Sequence, residues 1–271
     1  MNIKKSRVFA IVGALTAGLL TVVTPAAPAA ALPACPQIFG HGGYPTKANP
    51  WDRDQVRQPN HPRGLTDQKS WGASGVEADL QLTKNGTKAV MWHNTTTNGL
   101  TGTRKAITEL WWATGSDMLK GRKISRGPYT GETVYTFREW LDAVRARQMI
   151  ALVEVKGEAK QSLLNTDSAI RARAWQEILD PIKERIAGQE IMIYTHDATL
   201  KTELEKRIKA AGLDATLTNR PTWVDSVGWE EPPPAASGNH TKWQSTLNQG
   251  PKRIATSWTK DYKTWLAGRC A

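Results

Sequence analysis

Two short stretches decide the fold: Val76-Glu77-Ala78-Asp79-Leu80 and Leu152-Val153-Glu154-Val155-Lys156. Side chains alternate between the faces of a strand, so Glu77 and Asp79 share one face and the apolar residues take the other. Glu154 and Lys156 share a face in the same way. A third run places Ala89, Met91 and His93 together, with His93 at its end. A single such strand reads equally well as a solvated edge; three in succession do not. If helices cover the outside of a closed parallel sheet, the apolar faces point outward and the carboxylates inward. They then lie near the C-terminal ends of the strands, where barrel enzymes place their chemistry.

Working outward, short apolar runs alternate with helical patterns, the sign of βα units. The strands are expected over Gln37–His41, Val76–Leu82, Lys88–His93, Met149–Val155, Glu190–His196, Thr216–Asn219 and Arg253–Ser257. Thr136 is placed to cap a helix whose Phe137, Trp140, Leu141 and Val144 share a face. Asp180-Pro181 has the form of a helix start, with Gly188 as its stop. Leu200, Leu204 and Ile208 form another stripe, ended by Gly212. Residues 44–68, with four prolines, read as a long loop over the first strand. Residues 94–132 read as an insertion after the third strand, and residues 220–250 as irregular. The fold class expected is α/β, a TIM-type (β/α)8 barrel that is irregular in its last third. No glycine-rich phosphate turn follows the first strand, which disfavours an open doubly wound sheet.

The chain has 271 residues, a formal net charge of +11, 39% hydrophobic residues, two cysteines and 12 Trp against three Phe. This composition excludes disorder and leaves ample material for a core. Lys4, Lys5 and Arg7 precede an uncharged run, Val8 to Val23, and then an Ala/Pro-rich stretch with A-x-A spacing at Ala27–Ala29 or Ala29–Ala31. Residues 1–31 therefore read as a secretory signal peptide. Without them 240 of the 271 residues remain, as one barrel domain over 32–271, and loss of the three positive charges takes +11 to +8. A secreted protein meets an oxidising environment, and Cys35 and Cys270 lie at its two ends, so a disulfide between them is expected. The positive charges are scattered, with no basic stripe or base-stacking module, so no nucleic-acid partner is expected; no partner protein is evident either.

The chemistry centres on the inward carboxylates. Burying Glu77, Asp79 and Glu154 together is costly unless a cation or protons compensate. A hard divalent cation, Mg2+ or Ca2+, with these three as oxygen ligands resolves the conflict. His41 ends the first strand and His93 the third, and two histidines at the rim of such a site read as an acid–base pair around a phosphate ester. His196, at the end of the fifth strand, lines the pocket or sits in a surface turn. Trp258, after the last strand, stacks on a choline-type headgroup or packs in the core. Trp111 and Trp112, within the insertion, form a lid, touch lipid, or belong to a small hydrophobic core under it.

Four segments in order carry a resemblance to a known family: His41-Gly42-Gly43; Gly72 through Gly86, with Glu77-Ala78-Asp79 at its centre; His93-Asn94-Thr95-Thr96; and Val153-Glu154-Val155-Lys156. They resemble the glycerophosphodiester phosphodiesterases. The resemblance is specific from about residue 38 to 160 and weaker beyond. It implies a metal-dependent phosphodiesterase on a TIM-type barrel, in which His41 and His93 match the catalytic histidines. Glu77, Asp79 and Glu154 match the metal ligands, and Lys156 matches a lysine near the phosphate. Two departures stand out. The family usually has His-Arg-Gly where this chain has His41-Gly42-Gly43, and His-Asp where it has His93-Asn94. The first removes a bidentate anion contact, for which Arg53, Arg57 or Arg63 are candidate replacements.

The function expected is a secreted phosphodiesterase that hydrolyses small glycerophosphodiesters to an alcohol and glycerol phosphate. A phospholipase D-type enzyme acting on lysophospholipid or sphingomyelin, with transient contact to a lipid surface, is the first alternative. A degenerate barrel that binds phosphate esters without turning them over is the second.

Overall fold

The computed structural model describes residues 32, 34–42, 60, 62–127, 129–213, 221–224 and 237–271. The expected signal peptide, most of the long loop with Arg53 and Arg57, and the expected strand at Thr216–Asn219 lie outside them.

The parallel strands are β1 (Gln37–Gly40), β2 (Gly75–Leu82), β4 (Ile150–Val155), β5 (Ile191–Tyr194), β6 (Thr222–Trp223) and β7 (Arg253–Thr256), in the order β5-β4-β2-β1-β7-β6. β3 (Ala89–Met91) pairs with β2 alone. The helices are α1 (Pro62–Ser70), α2 (Phe137–Ala146), α3 (Lys160–Leu163), α4 (Ser168–Lys183), α5 (Ala198–Ala210), α6 (Ser237–Leu247) and α7 (Thr259–Leu266). None of the described helices is long and apolar enough to cross a membrane.

Strand alternation divides the sheet as its sequence requires. Val76, Ala78 and Leu80 of β2, Ala151, Val153 and Val155 of β4, and Ile191 and Ile193 of β5 join the helix-covered core with Trp140, Leu141, Trp175 and Ile178. Ile38 and Ile254 face a second outer core built on α6 and α7, with Trp243, Tyr262 and Trp265. The opposite faces contribute Phe39, Leu152, Met192, Tyr194 and Ala255 to a small inner cluster. The sheet is thus curled around its own apolar plug, a TIM-type barrel with an irregular last third.

Helix boundaries follow local capping. Thr136 accepts from the Glu139 amide, and Glu139 reaches back to the Thr136 amide, so the expected α2 forms with its four apolar residues buried. Leu200, Leu204 and Ile208 are buried on α5, and Gly212, at φ +65°, follows its end. Asp180-Pro181, by contrast, starts no helix. α4 begins 12 residues before Asp180, where the Asp167 carboxylate accepts from the amides of Ala169 and Ile170, and Pro181 lies inside its last turn. Burial of Trp175, Ile178 and Ile182 offsets the proline's cost there, of about 3 kcal/mol.

β3 is antiparallel to β2, with Leu80 opposite Met91 and Leu82 opposite Ala89. It is a hairpin arm rather than a third barrel strand. Asn85 (φ 55°) and Gly86 (φ 64°) turn the chain back, an Asn-Gly pair suited to positive φ. His93 lies beyond the end of β3, not on its last position. Ala89 and Met91 join the helix-covered core, whereas Val90, which lies opposite Gln81 on the other face of β3, packs with Trp92, Leu100, Ile107, Leu110, Leu119, Ile124 and Val134, so the insertion has a core of its own. Trp112 packs against that core, and the Lys84 ammonium lies 5.3 Å from the centre of the Trp111 ring. Both tryptophans are half-buried at the edge of this core.

Cys35 and Cys270 form a disulfide, with Cα atoms 4.9 Å apart across 235 residues of sequence. The Cys35 amide also donates to the Ala271 carbonyl at 3.1 Å. β1, which leads to His41, is thereby tied to the end of α7.

Gly40 has no room for a side chain. A Cβ there would lie 2.0 Å from Gln68 Oε1 and 2.5 Å from its Cδ. Gln68 is buried and accepts from the Thr259 hydroxyl at 2.6 Å, so it has little freedom to retreat. Gly40→Ala is expected to lower stability by about 1–3 kcal/mol, read as a fall in thermal midpoint of roughly 3–10 °C. An unchanged midpoint would show that Gln68 yields.

Candidate metal and phosphodiester site

The register of the sheet assembles the acidic group. Asp79 lies opposite Glu154, and Glu154 opposite Tyr194, while Glu77 precedes Asp79 on the same face. One oxygen from each of Glu77, Asp79 and Glu154 lies within 4.8 Å of the others, and all three residues are buried. Lys156, on the same face as Glu154, places its ammonium 3.1 Å from Glu154 Oε1 and 3.4 Å from Asp79 Oδ1. Burial pulls its pKa down, but Asp79 and Glu154 outweigh burial and hold the ammonium above the ordinary lysine range.

His41 continues the ladder past β1. Its amide donates to Thr256 O at 2.9 Å, and its ring Nδ1 is hydrogen-bonded to Ser257 Oγ at 2.9 Å. Its Nε2 lies 3.8 Å from Glu77 Oε2, and the Trp223 ring meets the imidazole edge-on at 4.4 Å. The Gly42 amide donates to Glu77 Oε2 at 3.0 Å. Gly42 has φ +65°, a left-handed conformation that disfavours a residue with a Cβ, and this fits the glycine found where the family has arginine.

His93 is partly exposed, and its Nδ1 is hydrogen-bonded to Asn94 Oδ1 at 2.5 Å. The preceding Trp92 amide donates to Asp79 O at 2.8 Å, which sets this loop beside the acidic group. His196 is 63% exposed, with Nε2 3.8 Å from Glu154 Oε2, so it borders the site. Trp258 does not border it: its ring is buried in the outer core with Trp243, Tyr262 and Trp265. Arg63 pairs with Glu132 of the insertion at 3.4 Å and lies 5.5 Å from the Tyr129 ring centre.

Three neighbours were not singled out from sequence. The Tyr194 hydroxyl donates to Glu77 Oε1 at 3.3 Å and Glu154 Oε2 at 3.4 Å, and Ser257 partners His41. Asn60 Nδ2 donates to Asp79 Oδ2 at 3.1 Å. Tyr194 and Ser257 continue the inward faces of Met192 and Ala255 by one alternation, a signal present in the sequence. Asn60 arrives from a loop and carries no such signal.

The donor set fits a divalent cation. Three buried carboxylates face one ammonium, so acidic groups outnumber the basic one, and carboxylate oxygens are the ligand atoms on offer.

A curled parallel sheet with such a group at the C-terminal ends of its strands defines a TIM-type barrel with a candidate metal site. The glycerophosphoryl diester phosphodiesterase family profile matches residues 68–225, more than half of the chain. The chain belongs to that family and is a phosphoric diester hydrolase. In fold it is similar to a candidate glycerophosphoryl diester phosphodiesterase from Silicibacter pomeroyi, with a TM-score of 0.56 and 16% identity, over 88% of this chain and 95% of that one. It is less similar to an Oleispira antarctica phosphodiesterase solved with its product sn-glycerol-3-phosphate. There the TM-score is 0.46 and the identity 16%, over 86% and 97% of the two chains. Among curated protein sequences none matches.

Proposed function

We propose that this protein is a divalent-metal-dependent phosphodiesterase that hydrolyses small glycerophosphodiesters to an alcohol and glycerol phosphate outside the cell. The observation that carries the reading is the buried group of Glu77, Asp79 and Glu154 with Lys156 against it. Those carboxylates would hold Mg2+ or Ca2+, which when bound supplies a positive charge that favours a phosphate ester and its developing negative charge. The 4.9 Å Cα–Cα disulfide contact supports export through the signal peptide expected at residues 1–31.

The chain's own residues divide the remaining work. Lys156 neutralises a phosphodiester oxygen and stays protonated across the physiological range. Ser257 and Asn94 hold the Nδ1 atoms of His41 and His93, so Nε2 of each ring moves the proton. One histidine activates the nucleophile, and the other protonates the leaving alkoxide. Glu77 Oε2 lies 3.8 Å from His41 Nε2, which sets that ring beside the acidic group. His196 lines the entrance.

His41→Ala and His93→Ala are each expected to lower kcat by about 10²–10⁴-fold while the thermal midpoint stays near that of the parent. Product release from a glycerophosphodiester, followed alongside differential scanning fluorimetry, checks this. Full turnover by either variant would overturn that histidine's role. Tyr194→Phe removes the hydroxyl shared by two carboxylates, and a loss of about 10–100-fold in metal affinity is expected in calorimetric titration.

A further inference from the structure

Gln81 extends the inward face of β2 one step beyond Asp79 and is fully buried. Its amide nitrogen donates to Asn94 O at 2.6 Å and Trp92 O at 3.1 Å, with His93 O at 3.4 Å. One NH2 group therefore gathers three consecutive carbonyls around the residue that bears the imidazole. The β-ladder does not do this, because β3 stops at Met91. The other end of the amide is costly: among the described residues Oε1 is buried and without a hydrogen-bond partner. Such a buried acceptor is destabilising, and an apolar side chain of similar size would avoid it. The position therefore favours the shape of the 92–94 loop at the expense of packing economy.

We propose that Gln81 is a positioning residue for His93, acting through the backbone of residues 92–94 and not on the substrate itself. The proposal rests on the reading of His93 as a proton-transfer group. Asn94 holds the ring by its Nδ1 at 2.5 Å, so a clamp on the Asn94 carbonyl fixes both the ring and its hydrogen-bond partner. Freed from the clamp, the loop can shift by the ångström or so that costs about a hundredfold in a positioned reaction.

The test uses Gln81→Leu, which removes the donors, and Gln81→Glu, which keeps the length but turns a carboxylate toward the three carbonyls. Gln81→Met takes the place of the leucine variant should that one not fold. Three readouts are taken on the full chain: hydrogen exchange of the 92–96 amides, the ring signals of His93 and His41 in NMR of histidine-labelled protein, and steady-state kinetics. Exchange at 92–96 is expected to rise about tenfold or more while the helices are unchanged. The His93 signal should shift and broaden, and that of His41 should stay. The kcat should fall about 10–100-fold with KM within about threefold. Unchanged exchange and an unmoved His93 signal in both variants would overturn the clamp, whatever the kinetics. Exchange and ring signals that respond without a fall in kcat would overturn the positioning role. Loss of the proton-transfer reading alone would appear differently, as full activity in His93→Ala with the exchange response to Gln81→Leu intact.

Discussion

Asp79→Asn is expected to lower turnover of a glycerophosphodiester by at least about a hundredfold and to weaken divalent-cation binding to a similar degree. The substitution keeps the size and shape of the side chain, so the change is one of charge. Asp79 is fully buried, its Oδ1 lies 3.4 Å from Lys156 Nζ, and its Oδ2 accepts from Asn60 at 3.1 Å. With asparagine, one of the three negative charges that a cation would balance is gone, and an amide NH2 faces either Lys156 or the Asn60 amide. Thermal stability without metal should fall little or even rise, because the crowding of carboxylates is relieved. That pattern, weaker binding without unfolding, separates a ligand from a structural acid. Comparable metal affinity in Asp79→Asn and the parent would remove Asp79 from the ligand set. Unfolding would instead mark it as structural.

The second large effect concerns the disulfide. Cys35→Ser with Cys270→Ser is expected to cost about 2–5 kcal/mol, a fall in thermal midpoint of roughly 5–15 °C. The bridge closes a loop of 235 residues, near the upper end of the chain-entropy effect. It also ties the strand that leads to His41 to the end of α7, where Cys270 is buried with Ile38, Trp258 and Trp265. At temperatures where the variant is folded, kcat should be within about twofold of the parent, since His41 is held locally by Thr256 and Ser257. Thermal unfolding with and without reductant checks the stability, and the parent under reductant should match the double variant. Equal midpoints in all cases would show that the ends are held by packing alone.

Much of this architecture is legible in residue alternation. The faces of β2 and β4 follow from Val76 to Leu80 and Leu152 to Lys156, and with them the meeting of Glu77, Asp79, Glu154 and Lys156. α2 follows from its Thr136 cap. Elsewhere a local signal is outweighed by its surroundings. Asn85-Gly86 marks the hairpin that reverses β3, yet the apolar run after it reads as one more parallel strand. Pro181 has the form of a helix start, yet the cap at Asp167 and the buried face through Ile182 carry α4 past it. Trp258 shows the limit of a lone aromatic: its position after β7 pointed toward the site, whereas its ring turns to the outer core. The partners of the site, Asn60, Tyr194 and Ser257, arise from contacts across long sequence separations. Of these, strand alternation flags only Tyr194 and Ser257.

The tryptophan excess acquires a physical meaning in the same way. Trp92, Trp140, Trp175, Trp243, Trp258 and Trp265 are all buried, spread over the insertion, the helix-covered core and the α6–α7 core. These six are the large packing units of the outer layers.

The central claim is that the Glu77, Asp79 and Glu154 group makes this barrel a metal-dependent phosphodiesterase. Phosphorus NMR of the folded protein with glycerophosphodiesters that carry choline, ethanolamine or glycerol, with and without a chelator, tests it most directly. The expected result is conversion of the diester signal to that of glycerol phosphate, arrested by chelator and restored by Mg2+ or Ca2+. Turnover that persists at full rate under chelator, or no turnover of any of the diesters by metal-supplied protein, would contradict it.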